Sequence, residues 1–273
     1  MTTLSSTAVP ALRGRRILVR TIAWLCCAVS LTLLFGLIDL GTTLGLSDPR
    51  YAWSMSLEAS WGSLFTFMIG GGFAWIGAVP RRPGPGVTLL GIVAVAVLLG
   101  SAILGDGRPL WVAGPLAAIT GLLALGLRSF LTVPRPDRRS ASPGRAVLAF
   151  TGVPLWLGYA WIMTQLALTA DPGAGDETIG IDHWPVQVAL GIAVALGCAV
   201  LGTAEVTARP AIWRELALWR WAFGLTSVFV AWATLAYPDR AGAMPHPAWG
   251  TLILLWGLLI ALSPAKTPPR GGR

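Results

Sequence analysis

Both histidines of this chain precede apolar segments, and carboxylates lie close to one of them. His183 directly follows Asp182, with Asp176 and Glu177 a few residues before it, and His246 precedes another apolar segment. Because imidazole and carboxylate groups are good ligands for divalent transition metals, these five residues are the candidate metal site. A histidine cluster could also sense pH. The spacing matches no metal-binding motif, so ordinary loop residues are the preferred interpretation, and no cofactor is predicted beyond this divalent metal.

Signatures of catalysis are missing from the sequence. It contains no Gly-x-Ser-x-Gly elbow, no Gly-Lys-Ser/Thr phosphate loop and no His-Glu-x-x-His. Glu58 is followed by Ser60 and Ser63, but a hydroxyl nucleophile needs a base and no histidine shares this segment. Polar residues at a helix entry are the preferred interpretation, and the sequence leans against an enzyme.

The composition indicates a membrane protein. Of 273 residues, 55% are hydrophobic and 12% are charged, whereas soluble domains carry about 25% charged residues. The net charge of +8 comes from short basic clusters between apolar runs, which is typical of orientation signals rather than nucleic-acid binding. The three cysteines fall inside apolar segments, so no disulfide framework is expected.

Apolar runs of about 20 residues predict an all-α, polytopic integral membrane bundle of eight transmembrane helices. The predicted spans are 18–40, 57–79, 86–104, 110–132, 147–169, 184–205, 213–237 and 247–263. Residues 1–16 form a basic cytoplasmic segment, 17–264 the transmembrane domain, and 265–273 a disordered cytoplasmic tail.

Charge predicts the orientation of this bundle, because translocation disfavours Lys and Arg in short outer loops. With both termini inside, 17 of the 20 basic residues fall on the cytoplasmic side, leaving Arg50, Arg108 and Arg240 outside. Nine of the twelve acidic residues fall outside. Omitting one span would invert every later loop, so this asymmetry favours eight spans with both termini in the cytoplasm.

Small residues spaced by four predict close helix contacts, since lipid removes the hydrophobic drive between spans. The candidates are Ala189, Ala193 and Gly197 in the sixth span, Gly114 with Ala118 and Ala117 with Gly121 in the fourth, and Gly70, Gly71 and Gly72 in the second. The similar spacing of spans one to four and five to eight is also compatible with a parallel repeat, although residue identity between the halves is poor.

The middle thirds of the predicted spans lack ionisable residues, which argues against a buried proton relay. The first functional hypothesis is a non-enzymatic small-solute carrier or an accessory subunit of a membrane complex. The alternatives are an outer-leaflet lipid-processing enzyme, or an ion or pH sensor, using the acidic and histidine-bearing outer loops. The expected partners are the lipid bilayer and other membrane subunits or a second copy, with no nucleic acid. A preference for Arg over Lys suggests a bacterial cytoplasmic membrane.

Overall fold

The chain folds as a helical bundle. The computed structural model describes residues 8–45, 54–127, 142–171, 177–207 and 213–263. Its α-helices are α1 Ala8–Leu31, α2 Gly36–Thr43, α3 Met55–Ser63, α4 Gly71–Ala78, α5 Gly84–Leu104, α6 Leu110–Leu127, α7 Pro143–Thr169, α8 His183–Thr207, α9 Trp213–Ala236 and α10 Pro247–Leu262. The π-helical segment Leu64–Gly70 joins α3 to α4, and strands β1 Glu177–Thr178 and β2 Ile181–Asp182 form an antiparallel ribbon. The predicted helical class is confirmed, with this ribbon added.

Six helical stretches in the described residues are long and apolar enough to cross a membrane. They are Gly14–Thr43, Gly84–Leu104, Leu110–Leu127, Pro143–Thr169, His183–Val206 and Leu216–Ala236. Two predicted spans are not among them. The predicted span 57–79 corresponds to the helical run 55–78, which the π segment divides, and α10 has 16 residues, fewer than the roughly 20 that a membrane usually requires.

The predicted first span is broken, contrary to the continuous helix expected over 18–40. α1 ends at Leu31, and Phe35 adopts the left-handed region with φ 60° before α2 begins at Gly36. The Trp61 indole donates a hydrogen bond to the Leu34 carbonyl at 2.8 Å. The side chain of Trp61 therefore gives the Leu34 carbonyl a hydrogen-bond partner at the point where the helix is broken.

The π segment lies directly against this break. The Ser30 hydroxyl donates to the Phe65 carbonyl at 2.5 Å. A Cβ on Gly36 would lie 2.8 Å from Thr66 Oγ1 and 3.2 Å from the Phe65 Cβ, so only glycine allows this approach. Two irregular backbone segments thus meet, and such segments are tolerated at membrane depth only inside protein or beside a cavity.

Helix α8 lies at the centre of the bundle, and its small residues make the predicted contacts. Ala189 and Ala193 are buried, and a Cβ on Gly197 would lie 2.1 Å from Cζ of Phe223 in α9. The prediction for the fourth span is wrong for its glycines, since a Cβ on Gly114 or Gly121 would meet nothing within 4 Å. These two glycines face open space because α6 packs loosely on one side of the bundle.

The three consecutive glycines of the second span contact different neighbours, as predicted. A Cβ on Gly70 would meet Leu31, one on Gly71 would meet Leu218, and one on Gly72 would meet Leu90. The predicted parallel repeat is not confirmed. The break in the first span has no counterpart in α7, which is the corresponding helix of the second half and is continuous. The tail 265–273 lies outside the described residues.

Candidate functional site

The connection before α8, which the sequence predicts as an outer loop, contains a β-hairpin. Glu177 pairs with Asp182 and Thr178 with Ile181, leaving a two-residue turn. Both turn residues have positive φ, 51° at Ile179 and 75° at Gly180. Turns of this kind fit the twist of paired strands, and glycine suits the second position.

Arg108, in the loop between α5 and α6, holds the hairpin through its carboxylates. Its guanidinium lies 2.9 Å from Asp106 Oδ2 and 3.4 Å from Asp182 Oδ2, and it also pairs with Glu177. Three carboxylates surround one arginine, which gives this basic residue a structural reason to lie on the predicted outer side. The cluster joins the α5–α6 loop to both strands.

The pKa values of Asp106, Asp182 and Arg108 are shifted in different directions. Burial acts to raise the pKa of Asp106, but hydrogen bonds from Arg108 outweigh it and the pKa lies below its ordinary value. Burial raises the pKa of Asp182, although the Trp184 amide and Arg108 oppose this. The hydrogen bond to Asp106 raises the pKa of Arg108, which therefore stays charged.

His183, the first residue of α8, is completely buried and connects the hairpin to α3. Its Nε2 lies 2.8 Å from Thr178 Oγ1, and its Nδ1 lies 3.8 Å from Glu58 Oε1. The Trp61 ring stacks on the imidazole with 4.7 Å between centroids. The imidazole is therefore placed between a hydroxyl and a carboxylate, and an aromatic wall limits its rotation.

A second group of buried polar side chains surrounds Tyr159 of α7. One of them, Gln187, lies one helical turn after His183 on α8. Gln187 Nε2 donates to the Tyr159 hydroxyl at 2.9 Å and to the Gly242 carbonyl at 2.8 Å, while Ser60 Oγ lies 3.1 Å from the same hydroxyl. These bonds connect α3, α7, α8 and the loop before α10. They connect the helices at this end of the bundle, next to the hairpin.

A half-open groove of about 600 Å³ lies between α1 and α6. Its floor includes Phe65 and Ile69 of the π segment, and residues 179–181 of the hairpin lie with Arg108 at one end. Among its described lining residues, Ser30 and Arg108 are the polar ones. Lining side chains such as those of Leu25, Val29 and Trp111 are exposed, so the groove opens at the outside of the bundle.

The predicted metal ligands have different surroundings. Glu177 and Asp182 face Arg108, and His183 faces Thr178 and Glu58. His246 is exposed, and its Nδ1 accepts a hydrogen bond from the Ala248 amide as the N-cap of α10. Within the described residues no three His, Cys, Asp or Glu side chains gather as a metal group. Asp176 lies outside these residues, so the metal site stays a prediction.

Sequence reasoning missed Thr178, Gln187 and the role of Arg108. The signal available for Arg108 was a basic residue on an acidic outer face, which indicates a local charge partner. The pair Ile179-Gly180 was a weak turn signal, because glycine was the only turn-forming residue in it. No pattern in the chain links His183 to Glu58 or Gln187 to Tyr159, since those partners lie on other helices.

No family model matches the chain, and no match was found among curated proteins or solved structures. The function is therefore inferred from the chemistry of the groove and of the buried groups beside it.

Proposed function

We propose that this chain is a membrane protein of eight spans that binds a lipid of the outer leaflet in the groove between α1 and α6. The membrane would be a bacterial cytoplasmic membrane, with both termini on its cytoplasmic side. The groove is the observation that carries the proposal.

Contacts at both ends of the run 55–78 support its role as a span. At one end, Arg20 donates to the Gly77 carbonyl at 3.1 Å, and both residues belong to the predicted cytoplasmic side. At the other end, Glu58 lies beside His183, at the predicted outer end of α8. α3, the π segment and α4 follow one another without a gap, so these two ends belong to one helical run, which supports a single span here.

Contacts around α10 support the eighth span in the same way. Gly242, before α10, bonds to Gln187 at the outer end of α8. Ser263, after α10, accepts a hydrogen bond at 3.2 Å from Arg220, near the predicted cytoplasmic end of α9. The ion pair between Arg145 and Glu205 also joins two residues of the predicted cytoplasmic side.

The groove has the size and character of a lipid-chain site. Its volume of about 600 Å³ falls within the roughly 300–1,000 Å³ of ligand pockets. An apolar lining that opens between membrane-facing helices is accessible from the hydrocarbon rather than from water, so one acyl chain of a phospholipid is the occupant that fits. The broken first span beside it resembles the interrupted helices that form binding sites in membrane carriers.

This lining distinguishes among the functions predicted from sequence. A carrier of polar solutes would need polar groups in its cavity, whereas this groove is apolar apart from Ser30 and Arg108. Lipid binding fits the alternative of a lipid-processing enzyme at the outer leaflet. The roles of accessory subunit and of ion or pH sensor stay predictions.

The proposal is tested with a diacylphospholipid that carries a diazirine in one acyl chain, added to the purified protein in lipid nanodiscs. We expect photo-crosslinks to concentrate on α1 and α6 along the groove. Val29→Trp, which fills the groove from an exposed position, should reduce this crosslinking several-fold. Val95→Trp, at a similarly exposed position on α5, is the matched control and should leave it unchanged. Equal labelling of all lipid-facing helices would contradict a specific site.

A further inference from the structure

The side chains of Thr178, His183 and Glu58 stand in the order hydroxyl, imidazole, carboxylate. The hydroxyl lies 2.8 Å from Nε2, within the range for a nucleophile and its base. The carboxylate lies 3.8 Å from Nδ1, on the opposite side of the ring. This second distance exceeds a hydrogen bond, but such contacts are often looser before substrate binds.

The positions of Thr178 and Glu58 on either side of the imidazole favour the His183 tautomer that can act as a base. With its proton on Nδ1, His183 faces the Glu58 carboxylate and leaves Nε2 as an acceptor for the hydroxyl. His183 is completely buried and Glu58 is almost so, which strengthens electrostatic interactions between them. The stacked Trp61 ring holds the imidazole in plane between its two partners.

The hydroxyl belongs to the hairpin that ends the groove. Thr178 is half-buried, and its cross-strand partner Ile181 lines the groove. Cross-strand partners project from the same face of a ribbon, so the Thr178 side chain lies next to a groove residue. A lipid chain in the groove would bring its ester group to this end.

We propose that Thr178, His183 and Glu58 cleave an ester bond of a lipid bound in the groove. This inference rests on the proposed lipid site. Thr178 Oγ1 forms a bond to the ester carbonyl carbon while its proton passes to His183 Nε2. The bond from that carbon to the lipid alcohol oxygen then breaks, and Nε2 returns the proton to this oxygen, leaving an acyl-threonine.

Water completes the reaction. Its oxygen attacks the acyl carbon as its proton passes to Nε2, the bond to Thr178 breaks, and Nε2 gives the proton back to Oγ1. The net change is ester plus water to carboxylic acid plus alcohol, with no redox partner. Glu58 stabilises the imidazolium that forms in each half-reaction, so it acts as a positioning residue.

The inference is tested with a fluorogenic diacylphospholipid and with a long-chain alkyl fluorophosphonate that captures activated hydroxyls, both in nanodiscs. We expect ester cleavage by the full chain, and capture of the probe at position 178 by mass spectrometry. T178V should lower kcat about 100-fold or more with little change in KM, as should H183N. T178S restores a hydroxyl and should retain cleavage and capture. Covalent capture of the probe at position 178 is the readout that a residue that only anchors the hairpin would not give.

Crosslinking with the diazirine lipid separates the two proposals. Groove crosslinking without ester cleavage or probe capture, including in T178S, would overturn the triad and leave the lipid site standing. Cleavage that T178V leaves unchanged would overturn it as well. If the unmodified protein showed no preference for crosslinks along the groove, the lipid site itself would be overturned. H183N removes a buried ring and could prevent folding. T178V changes a half-buried side chain to one of similar shape, so T178V decides the role if H183N fails to fold.

Discussion

Ile179 has a backbone conformation that β-branched side chains rarely adopt. Its φ of 51° lies in the left-handed region, and its side chain is 55% exposed, so little packing compensates for the strain. We expect Ile179→Asn to raise the free energy of unfolding by about 1 kcal/mol, because asparagine tolerates this region better. The measurement is thermal or denaturant unfolding in detergent. Ile179→Val keeps the β-branch and should change stability little; an equal gain in that variant would show that strain is not the cause.

The two aspartates beside Arg108 should respond to pH with opposite signs. The pKa of Asp106 is lowered on folding, so its carboxylate stabilises the protein above its ordinary pKa of about 3.9, and this is lost as the pH falls through the lowered value. The pKa of Asp182 is raised, so the protein gains stability when this group is protonated.

We therefore expect Asp106→Asn to be destabilising by about 0.5–1 kcal/mol at pH 7 and neutral at strongly acidic pH. Asp182→Asn should be neutral or stabilising at pH 7, since it removes a partly buried charge and keeps an acceptor for the Trp184 amide. Unfolding of both variants from pH 7 down to a pH below the lowered pKa of Asp106 checks the signs, and a destabilised Asp182→Asn at pH 7 would contradict them.

At the scale of the helix, the contact between α8 and α9 depends on the absence of a side chain. Gly197→Ala would place a methyl group 2.1 Å from the Phe223 ring, and such overpacking typically costs about 1–3 kcal/mol. Gly114→Ala is the matched control in α6, where the methyl meets open space and improves helix propensity. We expect lower thermal stability for the first variant and unchanged or higher stability for the second. Equal losses of thermal stability in the two variants would show that the clash with Phe223 is not the cause.

These two glycines also show how far a sequence predicts the packing of helices. A small residue spaced by four marks a position where another helix can approach, but it does not say whether one does. Gly197 and Gly114 carry the same local signal, and the difference between them comes from the central place of α8 and the peripheral place of α6. Helical class followed from hydropathy, because that signal is local and repeated along the chain.

The irregular elements escaped prediction because distant contacts stabilise them. The break at Phe35 is supported by Trp61, and the π segment accepts a hydrogen bond from Ser30. Similarly, 125 positions separate Glu58 from His183 in the chain, and their proximity depends on which helices become neighbours. The sequence indicates acidic and histidine-bearing loops, but it does not indicate which residues of other helices are their partners.

Across the whole molecule, polar side chains gather at opposite ends of an apolar bundle. The groups around Arg108, His183 and Tyr159 lie at the predicted outer end, and the Arg145–Glu205 pair lies at the other. In the predicted orientation, the groove and the proposed ester-cleaving residues would lie at the outer leaflet. If the orientation were reversed, the same residues would meet lipids of the cytoplasmic leaflet instead.

The orientation and the number of spans are tested together with single cysteines in a background where Cys26, Cys27 and Cys198 are replaced by alanine. In intact cells, a membrane-impermeant maleimide should label Asp239→Cys and Asp48→Cys, which lie on the predicted outer side. Arg81→Cys and Lys266→Cys should react only after permeabilisation if, as proposed, the run 55–78 and α10 each carry the chain across the membrane. Labelling of Lys266→Cys from outside would show that the 16 residues of α10 do not span. The same result for Arg81→Cys would remove the second span.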